Sequence, residues 1–201
     1  MKVIFLDFDG TLNVLRDFKN PNEKEIKEKR VKILADICKK YDCKVVIESA
    51  HKTCIDEKTL ETDVEWIKEF FSLFKKYGIE CIGITPYIGL EYDEEGRTIV
   101  DYNKNPWKED EIRLYLFRHP EVDSYVVIDD DDLAAMHRKS DLDKVRNHLV
   151  KTSIYDEENP NEEGLLEKHI DEVGEKLKLE NEIKKFALRK KTKDKSKEYY
   201  L

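Results

Sequence analysis

A short apolar segment near the start of the chain ends in two aspartates that stand one residue apart. Residues 3–6 are Val-Ile-Phe-Leu, and residues 7–11 are Asp-Phe-Asp-Gly-Thr. An apolar run of this kind is typical of a buried strand in a parallel sheet. Two mutually repelling carboxylates are costly at the end of such a strand unless a positive charge compensates them. The sequence therefore predicts a cation site at the carboxyl edge of a parallel sheet, where α/β proteins bind ligands.

The rest of the chain alternates between short apolar runs and segments of helical periodicity. We predict further strands over 44–49, 79–84, 124–128 and 147–152, and helices over about 22–41, 60–77, 108–118 and from about 164 onward. Alternating strands and helices are typical of a parallel, doubly wound sheet. The expected fold class is therefore a Rossmann-like three-layer α/β/α sandwich.

Residues 87–107 interrupt this alternation and predict a β-hairpin, because two strand-like segments flank the turn residues 93–96. We expect one α/β domain over 1–155 that contains this small insertion, and a C-terminal helical extension over 156–201. The extension ends in a lysine-rich tail. Two interpretations of the tail stay open: a solvated end, or a nucleic-acid-binding segment in which Tyr199 and Tyr200 stack on bases.

Composition narrows the class of protein. The chain has 45 acidic and 37 basic residues and a formal net charge of −8, which argues against bulk electrostatic capture of nucleic acid. The four cysteines lack metal-binding spacing and are expected to be reduced structural thiols. Neither a leader peptide nor an apolar run of about 20 residues is recognisable, so we expect a cytoplasmic protein and no membrane partner.

Polar residues follow three of the predicted strands, and in a parallel sheet these strand ends share one edge. They are the aspartates of residues 7–9, Ser49, and the four aspartates of residues 129–132. Clustered carboxylates suit Mg²⁺. One carboxylate can attack phosphorus and another can carry a proton, while a hydroxyl and a lysine position the phosphoryl oxygens. The sequence thus favours phosphoryl-transfer chemistry.

Residues 7–11 match the DxDGT motif, and the chain resembles the haloacid dehalogenase (HAD) superfamily of phosphotransferases, whose other motifs follow in the same order. The resemblance implies Mg²⁺-dependent hydrolysis of phosphomonoesters. It implies that Asp7 is the nucleophile that forms an aspartyl-phosphate and that Asp9 is the general acid and base. Gly10 and Thr11 would then lie beside the bound phosphate.

The resemblance also assigns the later motifs. It implies that Ser49 and Lys108 bind the phosphate, and that Asp129 and Asp130 hold Mg²⁺ together with Asp7 and the main-chain carbonyl of Asp9. Ser49 has a plain alternative, which is to cap the segment that follows it. Three further residues are candidate substrate contacts because they directly follow two of the motifs: Asn13, His51 and Lys52.

A narrower similarity covers about residues 1–155. Segments 83–86, 108–112, 119–125 and 149–152 resemble a bacterial and phage subgroup that includes phosphatase-like domains of RNA-repair proteins. It implies nucleotides or nucleic-acid ends as substrates. Glu48 beside Ser49 and the run of four aspartates depart from the usual motifs. The alternative function is therefore a catalytically weak, Mg²⁺-binding regulatory or nucleic-acid-binding protein.

Overall fold

The computed structural model describes residues 1–20, 23–87, 90–92, 98–100, 108–133, 145–179 and 181. The strands are β1 (Lys2–Leu6), β2 (Phe18–Asn20), β3 (Glu23–Lys24), β4 (Cys43–Ile47), β5 (Cys81–Ile84), β6 (Leu90–Tyr92), β7 (Thr98–Val100), β8 (Ser124–Asp129) and β9 (Leu149–Lys151). The α-helices are α1 (Glu28–Tyr41), α2 (Glu65–Tyr77), α3 (Lys108–Arg118) and α4 (His169–Lys176). Short 3₁₀ helices span Leu15–Asp17, Ala50–Cys54, Val145–His148 and Pro160–Glu162.

Five of the strands form one parallel sheet in the order β5-β4-β1-β8-β9. The first strand of the chain therefore lies at the centre, and the chain winds outward from it in both directions. Helices cover both faces, as the alternation of apolar runs and helical periodicity predicts. The predicted Rossmann-like α/β fold is confirmed.

Both faces of the sheet are buried, because successive side chains of a strand point to opposite faces and an apolar cluster covers each face. Ile4 and Leu6 face a cluster that includes side chains of α1, α2 and α4. Val3 and Phe5 face a second cluster with Ile112 and other residues of α3. Continuous apolar runs, rather than alternating ones, are what a doubly covered sheet requires.

Three predicted helices begin later than their periodicity suggests, two of them in the first half of the chain. The helix predicted from about residue 22 begins at Glu28, because Glu23–Lys24 form the strand β3, which pairs antiparallel with β2. The helix predicted from residue 60 begins at Glu65; the hydroxyl of Thr62 accepts a hydrogen bond from the N–H of Val64, so these residues form a turn. Gly78 ends α2 as predicted, with a φ of 71° that favours glycine.

The other predicted elements lie close to their expected positions. β6 and β7 pair antiparallel and confirm the hairpin, whose turn at 93–97 lies outside the described residues. The C-terminal helix is shorter than predicted, because α4 begins at His169 after a turn at Gly164, whose φ is 74°. The predicted basic tail also lies outside the described residues.

The four cysteines are free thiols. Burial raises the pKa of Cys38 to about 12 and the pKa values of Cys43 and Cys81 to about 11, so these three thiols stay protonated at neutral pH. None of the helices in the described part of the chain is long and apolar enough to cross a bilayer.

The first testable consequence concerns the packing of α2 on the segment after β1. Phe70 is fully buried, and its ring stacks on Phe8 with centroids 5.2 Å apart and an interplanar angle of 3°. Phe70→Ala should lower the free energy of unfolding by about 3–5 kcal/mol, measured by urea denaturation. Phe117→Ala is the control, because that ring is 38% exposed and its loss should cost less than about 1 kcal/mol. Equal losses would contradict the packing described.

Candidate active site

The register of the sheet brings two carboxylates together at its carboxyl edge. Leu6 pairs with Ile128 on β8 and with Ile47 on β4, so the ends of these three strands lie at one level. Asp7 directly follows β1 and Asp129 ends β8. Their side chains are buried, and the backbone N–H of Asp7 donates to the carbonyl of Ile128 over 3.1 Å.

Lys108 compensates these two carboxylates. It opens α3, and its Nζ lies 2.7 Å from Oδ2 of Asp7 and 2.8 Å from Oδ2 of Asp129. Burial opposes the charge on this lysine, but the two carboxylates outweigh burial and raise the pKa of Lys108 above its usual value. The side chain of Lys108 is therefore charged, and its ammonium lies between the carboxylates of Asp7 and Asp129.

Asp130 completes a group of three carboxylates. One oxygen each from Asp7, Asp129 and Asp130 lies within 4.8 Å of the others. Gly10 makes this approach possible, since a Cβ at its position would lie 2.1 Å from Cγ of Asp130. Burial, and then the charge of Asp7, raise the pKa values of Asp129 and Asp130 above the usual range. A set of three carboxylate oxygens with excess negative charge fits a hard divalent cation such as Mg²⁺.

Asp9 contacts a different set of side chains. Both of its carboxylate oxygens lie 2.6 Å from Nζ of Lys24, and Oδ2 lies 2.9 Å from Nε2 of His51. Burial by itself raises the pKa of Asp9, but the hydrogen bonds from His51 and Lys24 and the charge of Lys24 outweigh it and leave that pKa below its usual value. The two aspartates of the motif therefore have separate cationic partners.

A comparison with protein families identifies the domain. Residues 3–156 match the family described as the HAD domain in Swiss Army Knife RNA repair proteins. The chain belongs to this family. No curated protein matches the chain. In this HAD domain, the carboxylates of Asp7 and Asp129 thus lie at the ends of adjacent central strands, and the ammonium of Lys108 contacts both.

Ser49 and Thr11 of the HAD domain are buried beside this edge. The hydroxyl of Ser49 accepts a hydrogen bond from the N–H of His51 over 3.4 Å and caps the 3₁₀ helix that follows β4. The hydroxyl of Thr11 lies 3.1 Å from that of Thr152, which follows β9. Both side chains thus stabilise loops at the carboxyl edge of the sheet.

Asn13 is fully buried, and neither Oδ1 nor Nδ2 of its amide has a hydrogen-bond partner in the described structure. Its backbone N–H donates to the carbonyl of Phe8 over 2.9 Å, which closes the turn after β1. The residue therefore lies directly beneath the motif loop, with unused hydrogen-bonding capacity.

Lys52 lies apart from the three carboxylates, in a buried network of its own. Its Nζ lies 2.7 Å from the hydroxyl of Thr85 and 3.1 Å from Oε2 of Glu48, and it also contacts Glu111. Burial raises the pKa of Glu48 above its usual value despite the attraction of Lys52. The network ties the loop after β4 to Thr85 and to α3, and it gives the buried carboxylate of Glu48 a cationic partner of its own.

Sequence reasoning did not identify Lys24, Thr85 or Glu111. Lys24 falls in the segment predicted as the start of α1, and nothing in its sequence neighbourhood marks it as a partner of Asp9. Thr85 and Glu111 lie in segments 83–86 and 108–112, which carry the narrower family similarity, but nothing in those segments marks them as partners of Lys52. Each becomes visible only through the packing of a distant element against the edge of the sheet.

Cation binding can be tested without measuring turnover. Mg²⁺ at a hundredfold excess over its Kd should stabilise the fold by about 2.7 kcal/mol, because the cation binds the folded state alone. Gly10→Ala should remove this stabilisation, since the new Cβ displaces Asp130 and a φ of 73° disfavours alanine. Thermal unfolding with and without Mg²⁺ measures both.

The matched control for this measurement is Asp132→Asn. Asp132 is exposed and pairs with Lys151, outside the three-carboxylate group. Its substitution should leave the Mg²⁺ stabilisation intact. A Mg²⁺ effect that persists in Gly10→Ala, or one that disappears in Asp132→Asn, would contradict the assignment of the site.

Proposed function

We propose that this HAD domain hydrolyses phosphomonoesters with Mg²⁺ and through an aspartyl-phosphate on Asp7. The observation that supports this most directly is the buried carboxylate of Asp7, held 2.7 Å from the ammonium of Lys108 and beside Asp129 and Asp130. A nucleophile of this kind needs a fixed orientation and nearby positive charge that offsets the charge of the incoming phosphate. The site offers both.

The first step is a displacement at phosphorus. A carboxylate oxygen of Asp7 forms a bond to phosphorus while the bond from phosphorus to the ester oxygen breaks. The pKa of Asp9 is low in the free site, and the negative charge of the bound phosphate raises it. The protonated Asp9 then gives its proton to the departing oxygen, so that the product is a neutral alcohol. Lys108 neutralises charge on the phosphoryl oxygens, with Ser49 and the backbone around Gly10 and Thr11 as further donors.

The second step restores the enzyme. Asp9, now ionised, takes a proton from the water that attacks the phosphorus of phospho-Asp7. The bond between phosphorus and the Asp7 oxygen breaks, inorganic phosphate leaves, and Asp9 holds the proton for the next cycle. Asp7, Asp129, Asp130 and the main-chain carbonyl of Asp9 would hold Mg²⁺. The cation would supply positive charge that stabilises the phosphoryl oxygens beside these three carboxylates.

The proposed substrate is the phosphorylated end of a nucleic acid, or a nucleotide. Two observations support this. The family is described as a HAD domain in RNA repair proteins, which supports a substrate related to nucleic acid. The whole insertion between β5 and α3 spans residues 85–107, and its described part forms β6 and β7 of three residues each, so it is small for a cap that encloses a small molecule. The proposed substrate contact is His51, whose side chain is 32% exposed beside Asp9. Asn13 is fully buried in the turn after β1, so we do not assign it a substrate contact.

The nucleophile assignment predicts the effect of one substitution. Asp7→Asn should lower kcat for p-nitrophenyl phosphate by at least about 1,000-fold, because an amide cannot form the phospho-enzyme. Circular dichroism should show an intact fold. Asp132→Asn is the control and should retain the activity of the unsubstituted protein. Full turnover by Asp7→Asn in the presence of Mg²⁺ would exclude Asp7 as the nucleophile.

A substrate panel separates this proposal from its alternative, a Mg²⁺-binding regulatory protein with little turnover. The panel compares small phosphoesters with RNA oligonucleotides that carry a 5′- or a 3′-phosphate, each with Mg²⁺ and with a chelator. Mg²⁺-dependent phosphate release supports the hydrolase. No release from any ester, together with Mg²⁺ stabilisation of the fold, supports the regulatory alternative.

A further inference from the structure

Lys24 holds the carboxylate of Asp9 from outside the motif. Its ammonium lies 2.6 Å from each oxygen of Asp9 and 3.0 Å from Nε2 of His51. The side chain of this lysine is 2% exposed, whereas that of Asp9 is 25% exposed. An ammonium that contacts both oxygens of a carboxylate fixes the rotation of that carboxylate, and part of the Asp9 side chain remains accessible from solvent.

The position of Lys24 is itself fixed by aromatic rings. Its Nζ lies 4.2 Å from the ring centroid of Trp66 on α2 and 4.5 Å from that of Phe18, with which Lys24 pairs in the hairpin β2–β3. Ammonium groups are attracted to the faces of aromatic rings. The ring of His51 also packs edge-on against Trp66, with centroids 4.9 Å apart.

From this arrangement we infer that Lys24, assisted by His51, is the positioning residue for Asp9: it holds the Asp9 carboxylate where the leaving group departs. The inference rests on the proposed function, because it assigns the device that orients the proposed proton carrier. Lys108 and Lys24 thereby have different roles. Lys108 serves the side of the site where phosphorus is attacked, and Lys24 serves the side where the ester oxygen leaves.

The reaction rate depends on the orientation of the general acid most strongly when the leaving group needs a proton in order to depart. Phenyl phosphate releases a poor leaving group that requires protonation, whereas 2,4-dinitrophenyl phosphate releases a phenolate that leaves unassisted. The two esters are similar in shape and carry the same phosphate. Their kcat/KM values cover every step up to release of the leaving group, so their ratio reports how well Asp9 is placed.

The deciding experiment measures kcat/KM of both esters, with Mg²⁺, for the full chain and for Lys24→Met, which keeps the length of the side chain and removes its ammonium. We expect a fall of about 100-fold for phenyl phosphate, the usual effect of a misplaced catalytic group. For 2,4-dinitrophenyl phosphate we expect a fall of less than about 3-fold, since that leaving group needs no acid.

Two further variants complete the design. His51→Ala removes a partner of both Lys24 and Asp9 from a half-exposed position, and should show the same ester preference with a fall of about 10-fold for phenyl phosphate. This variant decides the question if Lys24→Met does not fold. Lys27→Met is the control, because Lys27 is exposed and pairs with Glu25 on the same segment; both esters should be unaffected.

Each other outcome overturns the inference. Equal falls for the two esters mean that Lys24 only supports the fold. A gain with phenyl phosphate means that the charge of Lys24, not its placement of Asp9, is what matters, since loss of that charge makes Asp9 easier to protonate. In both cases the unsubstituted chain still hydrolyses the esters, so the proposed function stands. If that chain hydrolyses neither ester, the proposed function fails and the inference fails with it.

Discussion

The arrangement of this protein depends on how negative charge is compensated at the end of its central strand. Asp7 and Asp129 end adjacent parallel strands, so the hydrogen-bonding register itself forces their carboxylates together. The ammonium of Lys108 reaches both and relieves part of their repulsion. Asp130 adds a third carboxylate, so negative charge remains in excess. A divalent cation is the simplest further compensation, and the same excess suits the site to hold a metal beside a phosphate.

The two aspartates of the motif differ in their surroundings although only Phe8 separates them. Phe8 is fully buried and packs on Phe70 of α2, which anchors the loop between them. The carboxylate of Asp7 meets Lys108 from α3, and that of Asp9 meets Lys24 from the hairpin β2–β3. Two lysines on different elements thus allow neighbouring carboxylates to take different proposed roles, nucleophile and proton carrier, without competing for one cation.

Two lysines show that local sequence does not predict where an ammonium group lies. Lys52 follows a motif residue and was expected to face substrate, yet its ammonium is buried with Glu48, Glu111 and Thr85. A buried lysine must find charged or polar partners. Here they follow the ends of β4 and β5 or lie on α3, and these elements are far apart in sequence. Lys24 shows the reverse, because no motif marks it and it binds a motif residue directly.

The sequence by itself determined the parallel sheet, the order of its elements and the residues that follow each strand. Apolar runs and helical periodicity are local properties, and a parallel sheet places the polar ends of its strands on one edge whatever the loops do. Tertiary structure alone decided which cation serves which carboxylate. It also replaced the first turns of the predicted first helix with the hairpin that carries Lys24. The reason is physical: the position of an ammonium at the end of a flexible side chain depends on partners from distant elements, which no local pattern records.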